Sequence, residues 1–131
     1  MTRFKHYLSI CNSGPSEILS IAALKHSDEL LRRNLEIIKG NLTLADQFFR
    51  RHDTLFRNNP PQSGPIAFHK IMIDQPIDAF CEELVQHSGV LLLPASIYDY
   101  KEPFFRMGYG RKSFGDSLSR FEQYLTHRGL V

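Results

Sequence analysis

A long apolar stripe limits what this chain can fold into more than any other feature of its sequence. Between residues 27 and 52 the apolar side chains recur at steps of three and four, which predicts one helix with a single apolar face. Ser27 is a suitable N-cap, and Asp28 and Glu29 stand in the first turn, where acidic groups complement the helix dipole. The stripe consists of Leu30, Leu31, Leu35, Ile38, Leu42, Ala45, Phe48 and Phe49.

The rest of the sequence predicts short strands that alternate with helices. One helix opens at Pro76 and ends at Gly89, and another opens at Ser113 and ends near Gly129. Strands are predicted at Phe56, Ile66–Ile73, Val90–Leu93 (which Pro94 would end) and Phe104–Tyr109. The 131 residues make one domain by length. This order predicts an α+β fold, a two-layer sandwich in which helices cover a small, mostly antiparallel sheet that follows a long connecting helix.

A separate helix is predicted ahead of the stripe. Ser13, Gly14 and Pro15 are typical of a helix start, with proline in the first turn. The segment Ile18–Leu24 is apolar on almost every side. A surface helix shows a stripe instead, so this one is expected to have partners on several sides.

Charge and cysteine content exclude several classes of protein. Sixteen basic and 14 acidic residues give a net charge of +2, too weak to indicate a nucleic-acid partner. Two cysteines are too few for a disulfide-stapled secreted fold, and Cys81 is predicted to be a buried free thiol. The longest apolar runs, Ile21–Leu24 and Val90–Leu93, are far shorter than the ~20 residues of a membrane helix. We therefore expect a cytoplasmic protein without a membrane or nucleic-acid partner.

The usual catalytic motifs are missing from the sequence. The six histidines form no pair at metal-ligand spacing, so no metal site is predicted. No serine stands in a nucleophile elbow, and no glycine loop resembles a phosphate-binding loop.

The candidate binding residue is Arg106, in the predicted strand that follows a loop with two tyrosines. Alternation places Phe105, Met107 and Tyr109 on one face, which is the predicted core face, and Arg106 and Gly108 on the other. The guanidinium is a planar fork that can hold a carboxylate with two hydrogen bonds. From the residues alone, that carboxylate belongs either to a ligand or to another side chain of the protein.

Four segments together resemble the end of class I/II aminotransferases of the aspartate aminotransferase fold. The run from Gly89 to Pro94 and the run from Phe105 to Arg111 are similar to two consecutive family motifs. The turn and strand from Pro61 to Phe68 resemble the opening of the small-domain sheet, and the helices from Gly14 to His52 resemble the connection between the two domains. The resemblance implies that residues 1–131 are the C-terminal small domain, with 1–26 a remnant that packs on the large domain.

The resemblance also implies a role for Arg106 and a limit on activity. In that family the matching arginine binds the α-carboxylate of the amino-acid substrate. Pyridoxal phosphate (PLP) needs a Schiff-base lysine, an acid on its pyridine nitrogen and phosphate-binding groups, which lie N-terminal to this segment in the family. None of the six lysines stands in the family's lysine motif: Lys5, Lys25, Lys39, Lys70, Lys101 and Lys112. The resemblance therefore implies a truncated, dimeric enzyme domain that is inactive and binds no PLP alone.

Two other functions remain open from the sequence. The same fold would also suit a free-standing interaction module that binds a partner or a small carboxylate without catalysis. A small nucleic-acid-binding α+β domain is the weaker alternative, because the charge is near neutral and no strand is both basic and rich in aromatic residues.

Overall fold

The computed structural model describes residues 13–131, which form four α-helices, a short 3-10 helix and four β-strands. Residues 1–12, with Lys5, His6 and Cys11, lie outside the described residues. In chain order the elements are α1 Gly14–Lys25, α2 Ser27–Arg51, β1 Phe56–Arg57, β2 Ile66–Ile71, α3 Ile77–Ser88, β3 Leu93–Pro94, the 3-10 helix Ala95–Tyr98, β4 Phe104–Gly108 and α4 Phe114–His127. The described residues divide into two compact units, 13–35 and 36–131.

All strands belong to one antiparallel sheet with the order β1-β2-β4-β3. The central pair is β2 and β4, in register from Ile66 opposite Gly108 to Lys70 opposite Phe104. Helices α2, α3 and α4 contribute side chains to the core on one face of this sheet. The predicted α+β class with a small antiparallel sheet is confirmed.

The core of the second unit covers one face of the sheet. The ring of Phe121 in α4 lies within 5.4 to 6.3 Å, centroid to centroid, of four other rings. These are Phe48 of α2, Phe56 of β1, Phe80 of α3 and Phe105 of β4. Each of the five side chains is at most 2% exposed. This aromatic cluster joins three helices to the sheet and fixes which face of β4 points inwards.

Helix α3 begins and ends where proline and glycine predict. Pro76 precedes its first residue, and Gly89 ends it with a left-handed backbone at φ 68° that glycine adopts without steric cost. Cys81, on its buried face, is 4% exposed and is a free thiol, as predicted. Burial, and next the negative charge of Asp78, raise the pKa of this thiol to about 11, which keeps it protonated.

In the first unit, the helix α1 forms as predicted, but none of its residues is buried. Ile18, Leu19 and Leu24 are 69% to 73% exposed. The described residues of the chain therefore do not bury the apolar side chains of this helix.

The structure corrects two details of the sequence analysis. The stripe of α2 is continuous in sequence, but Leu30, Leu31 and Leu35 are exposed, and the buried residues of this helix begin at Asn41. The predicted buried strand Val90–Leu93 is also wrong in extent. The strand is Leu93–Pro94, and Leu91 is 70% exposed. Proline is tolerated in this strand because β3 is an edge strand and needs to pair on one side only.

Candidate functional site

Arg106 lies on the face of the sheet that points away from the core. Its neighbours in β4, Phe105 and Met107, are buried, whereas Arg106 is half-buried. The strand register places it between Phe68 of β2 on one side and Leu93 of β3 on the other. Opposed residues of adjacent strands project from the same face, so the stem of Arg106 lies between two apolar side chains. The predicted alternation of β4 is confirmed.

The guanidinium of Arg106 is oriented by a tyrosine. Its Nη1 donates a hydrogen bond of 2.8 Å to Oη of Tyr98, the last residue of the 3-10 helix. The ring of Tyr98 meets the ring of Phe68 edge-on, with centroids 5.4 Å apart. Tyr98, Phe68 and Arg106 thus form one contact group on the outer face of the sheet.

Within residues 13–131, no carboxylate forms an ion pair with Arg106. The ion pairs there join other residues, among them Lys70 with Glu102 and Arg51 with Glu122. The bond to Tyr98 uses Nη1 only. Nε and Nη2 donate a hydrogen bond to no described side chain. These two atoms lie along one edge of the guanidinium and form the fork that a carboxylate can accept in bidentate fashion.

A second basic group lies on the same outer face. Lys70 of β2 is opposite Phe104 of β4, and its Nζ stands 5.6 Å from the centre of that ring. The same Nζ lies 2.8 Å from Oε2 of Glu102, so its charge is already paired. Arg106 and Lys70 therefore differ in availability for an anionic ligand.

The end of β4 beyond Arg106 is tied to α2 by a buried amide. Asn41 is 8% exposed, and its Nδ2 donates to the backbone oxygens of Tyr109 and Arg111, each at 2.8 Å. Both acceptors follow the strand, where no sheet partner satisfies them. This pair of hydrogen bonds fixes the direction in which the chain leaves β4.

Below the sheet, a histidine and a tyrosine share a buried hydrogen bond. His69 is 0% exposed, lies stacked on Phe49 with ring centroids 4.3 Å apart, and has its Nε2 2.6 Å from Oη of Tyr109. The backbone N–H of Asn59 donates to Nδ1 at 3.3 Å, so Nε2 carries the proton and donates to the tyrosine. Burial lowers the pKa of His69 to about 4 and raises the pKa of Tyr109. Both groups are neutral near pH 7 and serve the core.

Other features of the described chain do not extend this site. No group of three histidine, cysteine or acidic side chains within residues 13–131 is arranged to hold a metal ion. A cavity of about 540 Å³ is lined mainly by apolar residues, including Val90, Leu92, Met107 and Leu118, but not by Arg106. None of the described helices combines the length and the apolar composition needed to cross a bilayer.

The sequence predicts Arg106 as the candidate binding residue but does not predict the residues that support it. The tyrosine-bearing loop was recognised, yet nothing in the sequence distinguishes Tyr98, which contacts Arg106, from Tyr100, which packs on Phe104 with ring centroids 5.5 Å apart. Asn41 is hidden in an otherwise apolar stripe. The one available signal was its polar side chain beside Leu42 on a helix that was expected to be buried.

Comparison with known proteins agrees with the sequence resemblance. No protein-family model and no curated protein matches the chain. Among solved structures, a PLP-dependent aminotransferase from Streptococcus suis is 28% identical over 96% of this chain, with a TM-score of 0.87. The PLP-dependent cyclase OrfR is 23% identical over 96% of this chain, with a TM-score of 0.86. An aromatic aminotransferase from Pyrococcus horikoshii is 18% identical over 98%, with a TM-score of 0.83.

The matches also define how much of those proteins this chain represents. It covers 34% of the Streptococcus suis chain, 35% of the cyclase and 36% of the Pyrococcus horikoshii chain. The last two are below a quarter identical and therefore speak for the fold alone. Together, the matches confirm the resemblance drawn from the sequence: the chain is similar, over nearly its whole length, to about one third of a PLP-dependent aminotransferase.

Proposed function

We propose that this chain supplies the substrate-carboxylate grip of a PLP-dependent aminotransferase, with Arg106 as the residue that holds the α-carboxylate. The reaction of the complete enzyme would transfer an amino group between an amino acid and a keto acid. This domain would bind and orient the substrate, and the catalytic groups would come from protein outside residues 1–131.

The observation that carries the proposal is the open fork of Arg106. Nε and Nη2 donate to no described side chain, while Nη1 is held by Tyr98 at 2.8 Å. A half-buried guanidinium between Phe68 and Leu93 is partly shielded from water, which strengthens its attraction for an anion. A planar fork fixed by a neighbouring hydrogen bond also loses little freedom on binding.

The described residues do not fit PLP itself. That cofactor requires a lysine, a carboxylate for the pyridine nitrogen and donors for the phosphate around one cavity. On the face that carries Arg106, the described lysine is Lys70, and it is paired with Glu102 at 2.8 Å. We therefore propose that the chain alone binds no PLP in a defined site, and we assign it no step of the cofactor chemistry.

The proposed assembly is a homodimer in the cytoplasm, in which a second copy covers α1. The support is the exposure of its apolar side chains, since exposed apolar surfaces of this kind commonly mark interfaces. The low cysteine content favours a reducing compartment.

A titration of the 131-residue chain with propionate tests the carboxylate grip. Propionate is expected to shift the NMR signal of the Arg106 Nε–H group, whereas propionamide, which has a similar shape and no charge, is not. Arg106→Gln should weaken propionate binding about tenfold or more, since charged hydrogen bonds are lost. Arg57→Gln is the matched control, because Arg57 is an exposed arginine of β1 in the same sheet. Equal affinity in Arg106→Gln and in the control would contradict the proposal.

The DNA sequence next to the coding region distinguishes between the two proposed functions, an enzyme domain and a free-standing module. An in-frame or neighbouring segment with a PLP-binding lysine supports the enzyme. Carboxylate binding by Arg106 without any such segment supports the module instead.

A further inference from the structure

We propose that Tyr98 is a positioning residue for Arg106: its hydroxyl holds Nη1 and thereby keeps the guanidinium in one orientation, with the Nε–Nη2 edge free for a carboxylate. This inference rests on the proposed function of Arg106. It concerns a residue of the 3-10 helix that the sequence did not single out. Tyr98 differs from the nearby Tyr100 in that it accepts a hydrogen bond from Arg106.

The hydrogen-bond chemistry of the pair gives the hydroxyl its role. Nη1 of Arg106 is a donor and cannot accept, so Oη of Tyr98 is the acceptor in their 2.8 Å bond. The hydroxyl hydrogen of Tyr98 is then left to point elsewhere. Within residues 13–131 no other polar group accepts it. A carboxylate on the Nε–Nη2 edge lies on the opposite side of the planar guanidinium from this hydroxyl, so Tyr98 acts on a ligand only by holding the arginine.

The ring of Tyr98 is held in place from below. It meets Phe68 edge-on at 5.4 Å, and Phe68 is directly opposite Arg106 in the sheet. The tyrosine and the arginine are therefore supported by the same residue of β2. Movement of the phenol away from the guanidinium would cost this ring contact as well as the hydrogen bond.

The backbone that carries Tyr98 is also anchored at both ends. Ala95, the first residue of the 3-10 helix, is 0% exposed. Ser96 donates a hydrogen bond to the carboxylate of Asp78 in the first turn of α3. The turn closes with the N–H of Asp99 bonded to the oxygen of Ser96 at 3.0 Å. A short helix fixed in this way can present a side chain with little conformational freedom.

Tyr100 provides a contrast within the same loop. It is 48% exposed, close to the 46% of Tyr98, but its ring packs on Phe104. No hydrogen bond joins Tyr100 to Arg106 among the described residues. Removing the hydroxyl of Tyr100 therefore changes the same chemical group at similar exposure without touching the grip.

The test compares Tyr98→Phe with Tyr100→Phe in the propionate titration of the 131-residue chain. Tyr98→Phe keeps the ring on Phe68 and removes only the hydroxyl. We expect it to weaken propionate binding about threefold to tenfold, because the ligand must then order a guanidinium that Tyr98 no longer holds, and to leave binding of propionamide unchanged. We also expect faster rotation of the Arg106 guanidinium about its Nε–Cζ bond, seen in the NMR signals of the Nη groups, because Nη1 is no longer held; a merely structural role would not produce this change. Tyr100→Phe should match the unmodified chain in both measurements.

A double-mutant comparison separates this inference from the proposed function. In an Arg106→Gln background, Tyr98→Phe should have no further effect, because Tyr98 acts only through the arginine. If Arg106→Gln weakens binding and Tyr98→Phe does not, the role of Tyr98 is overturned and the proposed function stands. An equal loss from Tyr98→Phe in both backgrounds also overturns the positioning role. If Arg106→Gln itself has no effect, the proposed function fails.

Discussion

His69 and Tyr109 share a hydrogen bond of 2.6 Å, from Nε2 to Oη, in the core beneath the strand that carries Arg106. His69 is opposite Phe105, the residue next to Arg106, in the pairing of β2 with β4. The two faces of this strand pair therefore have separate tasks. The inner face carries the buried hydrogen bond between His69 and Tyr109, and the outer face carries the guanidinium of Arg106.

The buried histidine should make stability depend on acid. The pKa of His69 is about 4 in the folded chain, below the ordinary 6.5, so the unfolded state binds more protons between these values. Its contribution to stability is fully present above pH 6.5 and is lost as the pH falls towards 4. The loss is about 3 kcal/mol in the free energy of unfolding.

Chemical denaturation at pH 7, 5.5 and 4 measures this loss. His69→Gln removes the titrating group and should give a flatter dependence on pH than the unmodified chain. An identical slope in the two proteins would show that His69 does not titrate in this way.

Asn41 should be essential for the end of β4. Asn41→Ala removes both hydrogen bonds to the oxygens of Tyr109 and Arg111 and leaves the two acceptors without that donor. We expect a loss of about 2 kcal/mol in the free energy of unfolding. Asn34→Ala, an exposed position on the same helix, is the control and should change stability by less than about 0.5 kcal/mol. Urea denaturation compares them, and similar values for both variants would contradict the role of Asn41.

The sequence predicted elements well because local patterns determine them. The proline and the glycine at its two ends predicted the bounds of α3, and the alternation of Phe105, Arg106 and Met107 predicted the two faces of β4. Supporting contacts were not predictable, because they join residues far apart in the chain. Asn41 reaches acceptors 68 and 70 residues away, and no local period records such a partner.

The edge of the sheet shows a different limit. Val90–Leu93 has the composition of a buried strand, but only Leu93 of that run pairs with β4. Composition describes how apolar a segment is, and it does not determine whether a neighbouring strand is in reach. In the same way, the apolar composition of the N-terminal part of the α2 stripe does not determine whether another element buries it, and Leu30, Leu31 and Leu35 are exposed.

Helix α1 should cause self-association. Sedimentation at micromolar concentration is expected to show a dimer, because Ile18, Leu19 and Leu24 are otherwise in water. Leu24→Glu should shift the population towards monomer by placing a charge on this surface. Gln123→Glu adds the same charge at an exposed position of α4 and should leave the dimer unchanged. A clean monomer with a well-ordered α1 in the unmodified chain would contradict the idea.

The chain alone should have no transaminase activity. Incubation with PLP, an amino donor and a keto acid is expected to give no more product than PLP alone, since we propose that the chain alone binds no PLP in a defined site. Chromatographic measurement of the new amino acid checks this. Turnover above the PLP background that rises in proportion to the chain would refute it.

The proposed role of Arg106 is tested most directly by the activity of the complete enzyme. This chain would be assayed together with the protein segment that supplies the PLP-binding lysine, either in one polypeptide or as a separate product. We predict that Arg106→Gln lowers kcat/KM for the amino donor at least about 100-fold, with PLP content unchanged, whereas Arg57→Gln does not. An Arg106→Gln enzyme that keeps the kcat/KM of the unmodified enzyme would contradict the assignment of Arg106 as the substrate-carboxylate residue.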